Sequence, residues 1–105
     1  MKARPASPDE LAALARALLD LHGARGRHRE SVHVREAFQG SVVWEGDVEV
    51  FDLDGHAAPR AYAWAHEADS GGRRYVAVLH VPPVDSPEAA VRAAIVQEAR
   101  ERRGT

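Results

Sequence analysis

The sequence predicts an α+β domain of order α-β-β-β-α: a two-layer arrangement in which an antiparallel three-stranded meander carries both helices on one face. Three observations predict it. From Trp44 to Leu53 large apolar residues alternate with acids at period two, the pattern of a half-buried strand. Residues 60–68 and 73–81 flank Asp69-Ser70-Gly71-Gly72, a cluster that supplies the positive φ angles of a tight hairpin. Ser7-Pro8-Asp9-Glu10 and Ser86-Pro87-Glu88 each join a capping serine to a first-turn proline and an acid, and each opens a stretch with apolar residues at helical spacing.

In chain order, residues 1–6 read as a frayed, disordered tail. The first helix covers 8–22, with Leu11, Leu14, Ala15, Leu18 and Leu21 or His22 on one stripe, Glu10 completing a capping box and Gly23 as the stop. Residues 23–30 hold no apolar side chain larger than alanine and read as a loop. Val32 and Val34 alternate with His33 and Arg35, which allows a fourth, short strand over 31–38 before a turn or bulge at Gln39-Gly40. Strands over 42–53, 60–68 and 73–81 follow, and Pro82-Pro83 ends the last of them. The second helix covers 87–102, with Val91, Ala94, Ile95 and Ala99 on its stripe.

A two- or four-residue second turn sets Ala68 opposite Arg73, and therefore Tyr62 opposite Leu79, Trp64 opposite Ala77 and His66 opposite Tyr75. One face then holds Ala61, Ala63, Ala65, Val76 and Val78, joined by Trp44, Val48 and Val50, and is smooth enough to receive the helices. The other holds Phe51, Tyr62, Trp64, His66, Tyr75 and Leu79 together with Glu45, Asp47 and Glu49. A slip of one residue in the longer first turn exchanges the faces of the first main strand.

Composition bounds the chemistry. A chain of 105 residues with 45% hydrophobic content makes one domain, 1–105, able to bury a single core without staples. It has no cysteine, which excludes disulfide, zinc–thiolate and thiol chemistry. No apolar run follows the N-terminal charges or is long enough to cross a bilayer, so the expectation is a cytoplasmic protein with no membrane partner.

The order of elements, with Ser86 before the Ala-rich stretch Pro87-Glu88-Ala89-Ala90-Val91-Arg92-Ala93-Ala94, resembles the double-stranded RNA binding domains. In that family lysines at the start of this helix hold phosphates. Here the matching positions are Pro87, Glu88 and Val91, so the clamp is absent and the resemblance implies the fold without the function. A formal net charge of -2 and the acids Glu45, Asp47, Glu49, Asp52 and Asp54 also oppose nucleic-acid affinity. The run Trp44-Glu45-Gly46-Asp47-Val48-Glu49-Val50-Phe51, with Gly55-His56 and Ala61-Tyr62-Ala63-Trp64, is similar to a small uncharacterised bacterial family, which implies no activity.

Three groups of residues are candidates for function. Phe51, Tyr62, Trp64, His66, Tyr75 and Leu79 form the expected contact face, centred on Tyr62 and Trp64. His66 beside Asp47 or Glu49 is the catalytic alternative, a general base with an orienting carboxylate. Arg25, Arg27, Arg29 and Arg35 could hold an anion, or could neutralise the protein's own acidic strand. No pair of histidines has helical metal spacing, and neither glycine cluster leads from a strand into a capped helix, so no metal or cofactor is expected. The expected role is a non-catalytic binding or regulatory module, working as a homodimer or with a protein partner through its open sheet face. An accessory nucleic-acid binder and a small enzyme are the alternatives.

Overall fold

A computed structural model describes residues 7–67 and 71–103. The elements are α1 (Pro8–His22), β1 (Arg25–Phe38), β2 (Ser41–Asp54), β3 (Arg60–Glu67), β4 (Arg73–Leu79) and α2 (Pro87–Arg103). The tail expected over 1–6, and Ala68, Asp69 and Ser70 of the second turn, lie outside the described residues.

Both helices begin where their caps place them. The Ser7 hydroxyl oxygen accepts from the Glu10 N–H at 3.2 Å, and that of Ser86 accepts from the Ala89 N–H at 3.1 Å. Gly23 ends α1 at φ 63°, its N–H donating to the Leu19 carbonyl at 2.8 Å. The Glu10 carboxylate, expected to complete a capping box, accepts from the Arg73 guanidinium at 2.6 Å and so ties the start of α1 to β4.

Of the segment 23–30, expected as a loop, residues 25–30 form the start of a 14-residue strand. Its polarity belongs to an edge strand, where charge discourages pairing with other chains. Gly26 is there for packing: a Cβ at this position would lie 2.7 Å from a Leu18 methyl and 3.1 Å from the Phe51 Cβ. Leu18, at the centre of the α1 stripe, therefore reaches Phe51 by crossing β1 at its glycine.

The four strands form one open antiparallel sheet in the order β1-β2-β3-β4. β1 and β2 pair from Arg25↔Asp54 to Phe38↔Ser41 through a turn whose two residues, Gln39 and Gly40, both have positive φ, 51° and 78°. β2 and β3 pair from Glu49↔Ala63 to Asp52↔Arg60 and then part. Past that point the β1–β2 hairpin runs on as an arm.

The α+β class and the antiparallel sheet are as expected, with the fourth strand full-length; the helices are not on one face. α1 packs Leu14 and Leu18 on Phe51, Ala61 and Ala63, bordered by Ala65, Tyr75, Ala77 and Leu79. α2 packs Ala90 and Val91 on Val34, Val48, Val50, Tyr62 and Trp64, bordered by Trp44, Val76 and Val78. These sets alternate along β2, β3 and β4, so one helix covers each side. Register accounts for the difference: Tyr62 stands opposite Val78, Trp64 opposite Val76 and Ala65 opposite Tyr75, each pair one residue from expectation, and Phe51 stands opposite Ala61 instead of sharing the face of Tyr62. A one-residue slip exchanges every face of a strand. Both faces of β3 and β4 are then apolar, and each needs its own helix.

Candidate functional site: a groove between the hairpins

Where β2 and β3 part, Trp44 from the arm and Trp64 from β3 meet edge to face, with ring centroids 5.5 Å apart and planes at 67°. Gly46 makes room for this: a Cβ there would approach the Trp44 ring to 3.2 Å. Val91, Ala94 and Ile95 of α2 close over the pair, and an Arg92–Glu36 ion pair at 2.7 Å fastens α2 to the arm. Toward the C-terminal half of α2 the closure is incomplete. A groove of about 670 Å³ remains, walled by Trp44, Trp64, Val76, Val78, Ala94 and Ile95 and reaching past β4 to Tyr75, Ala77 and Leu21, with His66, Glu67, Arg74, Gln97, Glu98 and Glu101 as its polar lining. Its size lies within the range of ligand sites.

The expected contact face is divided by the register. Phe51, Tyr75 and Leu79 pack on the α1 side, and Tyr62, Trp64 and His66 on the α2 side, while Tyr75 also lines the groove along β4. Tyr62 is 1% and Trp64 3% exposed, so both are core residues covered by the chain's own α2. Trp44, expected on the opposite side of the sheet from Trp64, is its neighbour. The Tyr62 hydroxyl shares a 2.7 Å hydrogen bond with His80 Nδ1, and burial pushes its pKa above the ordinary tyrosine value against a smaller opposing pull from Arg60.

His66 does not stand beside Asp47 or Glu49. It faces α2, where its Nδ1–H donates to the Glu67 carbonyl at 3.1 Å, whereas both acids face the other way. The acids are served by histidines of β1. A register shift between His28 and Glu30 keeps His28, Ser31 and His33 on one face, opposite Phe51, Glu49 and Asp47. Glu49, 2% exposed, takes the His28 Nε2–H at 2.8 Å and the Ser31 hydroxyl on the same oxygen. His33 donates Nε2–H to Glu45 at 2.9 Å and Nδ1–H to Asp47 at 3.1 Å. These bonds, that to Glu45 foremost, raise the His33 pKa, and the bond from His33 lowers that of Glu45.

This row resembles catalytic machinery in composition only. Ser31 and His28 converge on one carboxylate oxygen, so the imidazole is not engaged with the serine it would have to activate. Both nitrogens of His33 face carboxylate oxygens of its own sheet, so neither is directed at a substrate. Among the described residues no group of three or more His, Asp or Glu is arranged to hold a metal ion.

The basic residues lie on an edge strand. Arg27 pairs with Asp54 at 3.0 Å and Arg29 with Asp52 at 3.3 Å, while Arg35 stands opposite Glu45 and, after His33, helps lower its pKa. No helix of the described residues is long and apolar enough to cross a membrane. Comparison with protein-family models, curated proteins and solved structures gives no match for this chain.

Proposed function

We propose that the chain is a non-catalytic binding module whose contact surface is the groove between α2 and the parted hairpins. One observation carries this reading: two indoles in edge-to-face contact border an open groove of about 670 Å³, lined by apolar and polar side chains alike, that the chain's own helix covers only in part. An indole-walled recess lined by apolar and polar groups suits a partner that inserts apolar side chains and meets the polar ones with its own. Glu67 and Glu101 outnumber Arg74 at the groove, and this, with the engagement of Arg27 and Arg29 by β2 carboxylates, favours a protein partner over a nucleic acid.

The test is binding of Nile red, an uncharged apolar dye, to dilute protein. Gln97 is an exposed lining residue of α2, and Gln97→Trp places a large ring over the groove without touching the core. The expected result is saturable dye fluorescence with the parent and its loss in Gln97→Trp at unchanged circular dichroism. Equal dye binding by both folded proteins, or none by the parent, contradicts the proposal.

A further inference from the structure

The chain carries a segment suited to its own groove. At the tip of the arm Phe38 is 66%, Val43 50% and Val42 44% exposed, three large apolar side chains around the Gln39-Gly40 turn. Val42 and Val43 directly precede Trp44, which walls the groove, so the tip and the groove adjoin. We propose that the occupant of the groove is a second copy of this chain, each arm tip docking in the partner's groove about a twofold axis close to Val43. The proposal rests on the groove being a binding site.

Closed twofold pairing requires one patch that is complementary to itself, and adjacent apolar projection and apolar recess meet that requirement. The Glu36–Arg92 ion pair at 2.7 Å holds the arm against α2 before association, so little chain ordering is left to oppose docking.

Such an interface contains two equivalent contacts, each made of one tip and one groove, and this makes it testable by complementation. Phe38→Asp removes both tips of a homodimer, and Gln97→Trp blocks both grooves; a mixture of the two variants retains one good contact, from the tip of the second protein to the groove of the first. Sedimentation velocity of the parent should show a concentration-dependent dimer, with the dissociation constant raised at least about tenfold in either variant alone. The mixed variants should form a heterodimer tighter than either self-associates. Phe38→Asp should still bind Nile red, since its groove is intact and vacated.

A parent that stays monomeric at every concentration while its dilute form binds the dye overturns the second copy as occupant and leaves the groove reading standing. A monomeric parent that binds no dye removes both. A dimer unaffected by either folded variant, or variants that fail to complement, overturns the tip-in-groove arrangement.

Discussion

Truncating Trp64 tests the packing that creates the groove. Its side chain is 3% exposed, closed in by α2 and set 5.5 Å from the ring of Trp44. Buried Phe or Trp to Ala changes cost about 3–5 kcal/mol, and an edge-to-face pair adds about 0.5–1.5 kcal/mol beyond its area. A domain of this length has a total stability of roughly 5–15 kcal/mol. Trp64→Ala should therefore fold with a much narrower margin. With a urea slope of about 1–3 kcal/mol per molar, its midpoint should fall on the order of 2 M. Trp64→Glu adds an ionised group with no partner at a buried position, and the added desolvation cost should leave it unfolded. Far-UV circular dichroism during urea titration measures both. A Trp64→Glu protein with the parent's midpoint would put this residue on a solvent face, move the β3–β4 register one residue from Trp64↔Val76, and remove one wall of the groove.

Gly26→Val should destabilise by about 1–3 kcal/mol, as overpacking does, because Leu18 is fully buried and cannot give way; a parent-like urea midpoint would mean that β1 does not pass beneath α1. Ser86→Ala should cost on the order of 1 kcal/mol through loss of the α2 cap, seen as a lower midpoint at unchanged slope, and no change would place the helix start elsewhere. The His33 clamp should stabilise the arm in a pH window. A histidine with a raised pKa contributes fully below its unfolded value of 6.5 and loses that contribution as pH rises through the folded value; Glu45, lowered from 4.5, contributes above that value and loses it as pH falls through its own folded pKa. Proton NMR titration of the His33 ring should thus give a midpoint above 6.5, and one at or below 6.5 would refute the clamp.

Both helices were legible in the sequence because their signals are local: a capping serine, a first-turn proline and a stripe at helical spacing fix Pro8 and Pro87 as starts. The existence of β2, β3 and β4 was legible from alternation and turn residues. Faces were not, because they depend on turn length to one residue, and the second turn includes Ala68, Asp69 and Ser70, whose composition admits several lengths. β1 was obscured at Arg25–Glu30 because an edge strand needs no apolar alternation, and its one tight packing requirement is met by Gly26, a residue that reads as a loop. With 23–30 taken as a loop and the short strand over 31–38 left without a register, His28 and His33 had no visible partners, although the acids opposite them at Glu45, Asp47 and Glu49 were already conspicuous. The groove itself was illegible: it exists because β2 and β3 part after Glu49↔Ala63, which no local pattern announces.

The most direct test of the groove as the contact surface is chemical-shift mapping with free indole as the apolar probe. It is best recorded on ¹⁵N-labelled Phe38→Asp, in which no arm tip competes for the groove. The account predicts saturable shifts of both indole N–H signals, Trp44 and Trp64, together with the amides of Ala94 and Ile95, while those of His28, His33 and Glu45 stay in place. Unmoved indole signals, or shifts centred on the histidine row of the opposite face, would contradict it.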